Sequence, residues 1–459
     1  MEIYKTLMNY KEKGIYPFHM PGHKRNKAFL SLHTEPAEID FTEIPEMDNL
    51  HDPKEMIFES QKKCAVLFGA EKSYYLINGT TSGIIASICA LCQEGESIIV
   101  ARNSHKSVYS ALIYSGANPV YVFPKINSFG IPAGISPEEV KKALLENPKA
   151  KAVFIVSPTY EGFVSDIQAI AEEVHKYHIP LIVDEAHGSH FAFSEYFPKT
   201  ALEMGADISI QSLHKTLPSY TQTSVLHTQG NLFDERLLKL HLSMIQTSSP
   251  SYILMAGIDN CVDLLYKDKK KIFEDYISIL EGYRKKALSY KNFILMGEEQ
   301  ENTSHILSVD KGKLTFVLKR AYPNIEQELL DKYKIQLEMA AENHFILMTS
   351  PADTKAGFDR LHFALSEIDE KISNFPLKEF KITNQYPVPK QIIHPKKALY
   401  KAPESMMLKD ALGKVSGDFV TPYPPGIPLI APGEEITKET LEYLSEKYLS
   451  KNINTISIQ

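Results

Sequence analysis

The stretch DISIQSLHKTLPSYTQTS (207–224) opens as an apolar, strand-like run and breaks into Ser212, Leu213, His214, Lys215 and Thr216 ahead of a proline. Read alone, a lysine past a strand is a solvated loop residue. At the end of a buried strand, among hydroxyls, it is a candidate nucleophile with a lowered pKa. The surrounding pattern bears on the choice. From residue 73, short β-rich runs alternate with helix-length segments: SYYLIN (73–78), SIIVAR (97–102), NPVYVF (118–123), AVFIVSP (152–158), PLIVDEA (180–186), DISIQSL (207–213) and TSVLHT (223–228). Several are apolar at consecutive positions, as in strands covered on both faces. Helical patterns lie between most of them, such as SPEEVKKALLENP, where a Ser cap precedes Pro and two Glu. The alternation predicts an α/β fold, with a large domain built on a mostly parallel sheet of about seven strands.

A charged helical stretch (LLYKDKKKIFEDYISILEGYRKKALSY) then leads into strand KLTFVLKRA, helix IEQELLDKYKIQLEMA, strand HFILMTSP and helix GFDRLHFALSEIDEKI, a smaller α/β domain. The Pro/Lys-rich NQYPVPKQIIHPKKALYKAP reads as a linker to a C-terminal unit that contains TPYPPGIPLIAPGE. The first 55 residues have many His, Pro and charged side chains, little periodicity, and the look of an arm that orders against another surface. The expected division is an arm and dimer segment at 1–55, the large domain at 56–270, the small α/β domain at 271–380, and linker plus C-terminal domain at 381–459.

With 459 residues, 43% hydrophobic and 23% charged, the chain can bury a large core without disulfides. Its net charge of −7 argues against a nucleic-acid partner, which calls for a basic face. Four cysteines make no disulfide framework and fit a reducing compartment; Cys89 and Cys92 form a C-x-x-C inside an apolar helical stretch, where core packing is the expected role. The N-terminus has no apolar signal-peptide core, and the longest apolar run, near Ile84 to Cys92, is too short to span a bilayer. The expectation is a cytoplasmic protein with no membrane partner.

Open α/β sheets place ligands at strand ends, and four ends here carry reactive groups. LINGTTSGIIASICAL (76–91) is a strand, a Gly/Thr/Ser turn and a helix; its first helical N–H groups, with Gly79, Thr80, Thr81 and Ser82, suit a phosphate or an ordinary capped turn. In VARNSHKSVYSAL, His105 either stacks on a flat ring, caps the next helix or faces water. PLIVDEAHGSHF ends a buried strand in Asp184, Glu185 and His187, and a carboxylate there needs a cation or donors. DEAH also occurs in nucleotide-driven helicases, but no G-x-x-x-x-G-K-[ST] loop is present. A metal site from Asp184, His187 and His190 lacks a further ligand set, so no metal is expected. Lys215 follows one α/β step after Asp184. Together, a phosphate cradle, a stacking His, a strand-end carboxylate and a later Lys fit pyridoxal 5′-phosphate, with Asp184 keeping the pyridine nitrogen protonated and Lys215 joined to the cofactor carbon.

The chain resembles the ornithine/lysine/arginine decarboxylase family of fold-type I pyridoxal-phosphate enzymes. The resemblance runs from FHMPGHK (18–24) through DFTEIPEMDNLHDP, LFGAEKSYYLINGTTSG, RNSHKS, SPTYEG, VDEAHGSH and SLHKTL to TPYPPGIPLIAPGE. It implies an aspartate-aminotransferase-like large domain with smaller C-terminal domains, Lys215 as the Schiff-base lysine, Asp184 as the pyridinium partner and His105 stacked on the ring. It further implies Gly79, Thr80, Thr81, Ser212 and His214 near the phosphate and His187 beside the cofactor. The N-terminal wing domain of the longer bacterial members is not expected, which argues against their ring assemblies. A homodimer at least, with the active site between subunits, is expected.

The implied reaction is decarboxylation of a basic L-amino acid to its amine, with Lys215 or His214 protonating the α-carbon. Arginine is favoured, because short members resemble the biosynthetic arginine decarboxylase type; lysine and ornithine follow. Asp48, Glu161 and Glu404 are candidates for the distal cation. An aminotransferase of the same fold needs an arginine, such as Arg320 or Arg360, to clamp the α-carboxylate. A non-catalytic regulator would usually have lost the lysine or the aspartate, and both stand in full motifs.

Overall fold

The computed structural model describes residues 2–29, 35–379, 386–422, 426–444 and 446–457. The start of the linker, the boundary at 380/381 and positions 423–425 of the C-terminal motif lie outside the described residues. Seven strands make the central sheet: β1 (Lys72–Leu76), β2 (Ser97–Ala101), β3 (Asn118–Val122), β4 (Val153–Val156), β5 (Leu181–Asp184), β6 (Ile208–Gln211) and β7 (Ser224–Thr228). Their order is β1-β7-β6-β5-β4-β2-β3, and neighbours are parallel except where β7 pairs. Each predicted run is a strand. The exception at β7 follows from its connection to β6, which holds a single helical turn, Leu213–Thr216, too short to cross a sheet face and bring the chain back parallel.

Burial explains the consecutive apolar runs. Every residue of β5, β6 and β7 is buried, and alternate side chains enter different cores. Leu181 and Val183 pack with Ile167, Ile170 and the start of a long helix, Tyr252–Ala287. Ile182, Ile208 and Ile210 pack with Ile84 and Ile88 of α1 (Gly79–Leu91) and with Val108 and Leu112 of α2 (Lys106–Ser115). Cys89 lies in α1 and Cys92 at its end. Both are unbridged, and burial pushes their thiols up to about 11 and about 12, which suits packing rather than redox chemistry. The Ser136 cap forms as expected, its hydroxyl accepting from the Glu139 N–H at 3.0 Å.

A second sheet, antiparallel, comprises β8 (Phe293–Leu295), β9 (Lys313–Leu318), β10 (Met339–Ala340) and β11 (His344–Met348) in the order β8-β9-β11-β10. One expected helix is corrected here. Residues 325–340 are helical only over Ile325–Asp331; Lys334 turns at φ 55°, and Ile335–Leu337 is a strand. The physical reason is visible in KIQLEMA, where Ile335, Leu337 and Met339 alternate with polar residues, a period of two. Ile335–Leu337 pairs in parallel with Tyr16–Phe18 of the N-terminal arm, so the surface that orders the arm belongs to the same chain. The C-terminal unit forms its own five-stranded sheet.

Candidate active site

The carboxyl ends of β1, β2, β5 and β6 open on a single cleft of about 640 Å³. Gly79, Thr80 and Thr81 come from the turn after β1, His105 from the segment after β2, Asp184 and His187 from the end of β5, and Ser212, His214 and Lys215 from the helical turn after β6. All of these predicted residues line the cleft. Gly79 has φ +69°, a left-handed turn that glycine adopts freely, and it starts α1 with the Thr80 and Thr81 hydroxyls alongside. Ser212 reaches Thr80, Oγ to Oγ1, at 3.4 Å. His105 both caps α2, accepting from the Ser107 N–H at 3.3 Å, and lines the cleft; burial first, then Lys215, pushes it down to about 4.

Lys215 Nζ is 3.0 Å from His187 Nε2. Burial lowers the Lys215 pKa, while Asp184 and then Glu338 oppose it. Asp184 is raised by burial and lowered by Lys215; its Oδ1 accepts from the Ala186 N–H at 3.1 Å, which leaves Oδ2 for a cationic partner. His214 donates from Nδ1 to the Thr223 carbonyl at 2.8 Å. This donor set fits pyridoxal 5′-phosphate: helix N–H groups and hydroxyls for a dianion, a buried carboxylate for a ring N–H, and a desolvated amine for the aldehyde carbon.

Glu161 also lines the cleft, and burial raises its pKa. The other two candidates for a distal cation stand elsewhere. Asp48 accepts from the N–H groups of Lys54 and Glu55 (both 2.9 Å), Ile57 (3.0 Å) and Phe58 (3.3 Å), which caps the helix Met56–Phe68. Glu404 is exposed on the strand Pro403–Met407. Arg320 is held by Asn292 and the Phe375 carbonyl, and Arg360 lies over Tyr16, so neither reaches the cleft as a carboxylate clamp. His190 pairs with Asp310 at 3.0 Å rather than joining Asp184 and His187.

Several site residues had no place in the sequence reading. Glu338 lines the cleft, accepting from the Tyr160 hydroxyl at 2.8 Å and from the Met20 N–H at 3.2 Å. It sits in the segment expected as helix, where nothing marked it. Lys313 opens β9 and reaches His187 Nδ1 at 2.6 Å; in KLTFVLKRA it reads as a strand-end charge. The arm closes one side. Lys24 of PGHK is buried and donates to the carbonyls of Pro17, His19 and Met348. Gly22 donates to the His214 carbonyl at 2.6 Å, and a Cβ there would lie 2.5 Å from the Leu217 carbonyl oxygen, so only glycine allows this approach. From the C-terminal unit, the Gly426 carbonyl accepts from the Lys106 N–H at 3.1 Å and brings Ile427 to the cleft.

Comparisons with known proteins agree with this site. Residues 2–355 match the family model for the Orn/Lys/Arg decarboxylase major domain, and residues 381–453 match that for the C-terminal domain. The chain is 34% identical to an arginine decarboxylase of Bacillus anthracis, over 96% of this chain and 92% of that one. It is 33% identical to an arginine decarboxylase of Bacillus subtilis over the same shares. The lysine decarboxylase of Francisella novicida has the same fold, with a TM-score of 0.78 at 20% identity over 95% of this chain and 78% of that one. The chain belongs to the Orn/Lys/Arg decarboxylase family, enzymes that use pyridoxal phosphate to decarboxylate basic amino acids.

Proposed function

We propose that the protein converts L-arginine to agmatine and carbon dioxide, a step of polyamine metabolism. The observation that carries this reading is the cleft in which Lys215, Asp184 and the acidic Glu161 and Glu338 converge, in a chain whose relatives of similar length are named arginine decarboxylases. Bound pyridoxal phosphate supplies the electron sink for breaking the bond to the α-carboxylate.

The residues divide the remaining work. Lys215 holds the cofactor and releases it to the substrate amine. Asp184 keeps a ring N–H protonated, an electrostatic pairing set before reaction. His105 would face the cofactor ring, while Gly79, Thr80, Thr81 and Ser212 would hold the phosphate, with His214 lining the same cleft. Protonation of the α-carbon would fall to Lys215, charged by the proton that the substrate ammonium brings, rather than to His214. With Nδ1–H committed to Thr223, a neutral His214 presents only a bare Nε2, and burial pushes that ring down to about 4. Glu161 and Glu338 receive the guanidinium.

The division into arm, large, small and C-terminal domains at 1–55, 56–270, 271–380 and 381–459 belongs to the same reading, as do a cytoplasmic location and a homodimer. Among the described residues no helix is long and apolar enough to cross a membrane. Exposed Phe41 and Met56 stand around an apolar cavity of about 330 Å³, a surface suited to a second subunit. The test is direct. Purified protein with pyridoxal phosphate is offered arginine, lysine and ornithine in turn, and the amine and carbon dioxide are identified. Agmatine as the fastest product supports the reading; cadaverine or putrescine in its place overturns the substrate, and no carbon dioxide overturns the reaction. Sedimentation of the holoenzyme reads the subunit number.

A further inference from the structure

His187 stands between two amines. Its Nε2 is 3.0 Å from Lys215 Nζ and its Nδ1 is 2.6 Å from Lys313 Nζ. Burial, with the two lysines, holds the ring well below its ordinary pKa, so it is neutral. A neutral imidazole has one N–H and one bare nitrogen. The bare nitrogen accepts from an ammonium, but the N–H needs a lone pair, which only an uncharged amine offers. The ring therefore satisfies one ammonium and one neutral amine, never two ammoniums.

The ammonium belongs on the Lys313 side. Lys313 Nζ also donates to the Tyr160 carbonyl at 3.2 Å and stands 5.2 Å from the centroid of the Tyr160 ring. Its contact with His187 is the shorter of the two, as charge-assisted hydrogen bonds are. Nδ1 is then bare, Nε2 carries the hydrogen, and that hydrogen points at a lone pair on Lys215.

We propose that Lys313 is a positioning residue that fixes the tautomer of His187 and thereby keeps the free Lys215 amine uncharged and nucleophilic. This rests on Lys215 being the lysine that holds the cofactor. Lys313 is faced by Glu338 and Asp310, which favour its charge, by Lys215, which opposes it, and by Glu161, which favours it. Burial brings it down to about 8, so it remains mostly protonated at neutral pH. Lys215 is faced by Asp184 and Glu338, which favour its charge, by Lys313, which opposes it, and by the neutral rings of His105, His187 and His214. A device that withholds a proton from Lys215 offsets those two carboxylates.

The experiment uses the full chain freed of pyridoxal phosphate. Nitrogen NMR of 15N-histidine protein, with His187 assigned by its loss in His187→Gln, reads the tautomer. Competitive acetylation across pH, followed by the mass of the Lys215 peptide, reads the charge on that amine. The expected results are an Nε2–H ring in the native protein and, in Lys313→Met, an acetylation profile about one pH unit higher, so that labelling at neutral pH falls roughly tenfold. Lys313→Arg, which retains a cation, keeps the native profile. An Nδ1–H ring overturns the proposal, as does an unmoved profile in Lys313→Met or an Arg variant that behaves like Met. The tautomer needs no Lys313 variant and decides the matter if Lys313→Met fails to fold. Borohydride trapping of pyridoxal phosphate on the native protein separates the two readings: capture on another lysine overturns the role of Lys215, whatever the ring tautomer.

Discussion

Arg102 donates to Glu434 at 3.1 Å, with both side chains sealed from solvent. It also donates to the carbonyls of Pro428 (2.6 Å) and Leu429 (3.1 Å) and to the Tyr109 hydroxyl, and the guanidinium lies 5.2 Å from the ring centroids of both Tyr109 and Tyr121. Shortly after Arg102 comes His105, and beside Pro428 comes Ile427; both line the cleft. One buried cation thus joins the large sheet to the C-terminal unit at the edge of the active site. Glu434→Ala leaves that charge without its counter-ion. Removing one partner of a buried pair costs about 3–5 kcal/mol, and the two remaining carbonyls place this case near the lower end. Urea denaturation should show the loss, and Glu434→Gln, which keeps an acceptor, should lose less.

Much of this architecture was legible because most central strands are buried on both faces and several are apolar at consecutive positions, which distinguishes them from the helices between them. The site was legible for a related reason. Thr80, His105 and Lys215 follow strands and Asp184 ends one, and a sheet whose strands run mostly parallel brings such ends together. Where pattern was weaker, the reading erred. QLEM has helix-forming residues that mask the period of two in KIQLEMA, and the strand Ile335–Leu337 pairs with an arm more than three hundred residues earlier. Local propensity carries no information about a partner that distant. Asp48 and Glu404 erred differently: a carboxylate's type says what it can bind, and only the fold says that backbone N–H groups already occupy Asp48.

Lys215→Ala removes the one amine placed at the end of β6. The expected outcome is loss of turnover together with loss of the visible absorbance of lysine-bound cofactor and of borohydride trapping. A variant that keeps that absorbance would move the assignment to another lysine. Asp184→Asn keeps the shape but not the charge. Losing a preorganised electrostatic partner of this kind costs about a hundredfold or more in kcat, with cofactor absorbance still present, so kinetics and spectrum separate the two roles.

Stability should depend on pH through His227. The ring is fully buried, with the Ser73 hydroxyl 2.7 Å from Nδ1, and burial pushes it down to about 3. In the unfolded chain its pKa is near the ordinary ~6.5. Between these values the unfolded state binds a proton that the native state refuses, so stability is present above about pH 6.5 and falls as pH drops below it. The slope from one such group is at most ~1.4 kcal/mol per pH unit. His227→Gln removes this contribution. Urea melts at pH 7, 6 and 5 should show a native slope steeper than the variant's by up to that amount, whatever offset the substitution itself adds at pH 7.

Substrate choice should separate Glu338 from Glu161. Glu338 is half-committed, to the Tyr160 hydroxyl and the Met20 N–H, and those contacts hold its carboxylate in place at the cleft. Glu161 is driven toward its neutral form by burial, opposed by its own backbone N–H, the Thr159 hydroxyl and, least, Lys313. A held carboxylate is the better receptor for a guanidinium, because a charge-assisted pair needs a fixed acceptor. Glu338→Gln should lower kcat/KM for arginine by about ten- to a hundredfold, the equivalent of ~1.5–3 kcal/mol for a hydrogen bond to a charged group. Glu161→Gln should cost less. The control is citrulline, whose side chain has nearly the same length and no charge. If Glu338 reads the distal cation, the variant's loss is confined to arginine and the slow rate on citrulline stays put. Equal losses on both substrates would mean that Glu338 works by holding Tyr160 and the arm, and the guanidinium site would then lie elsewhere.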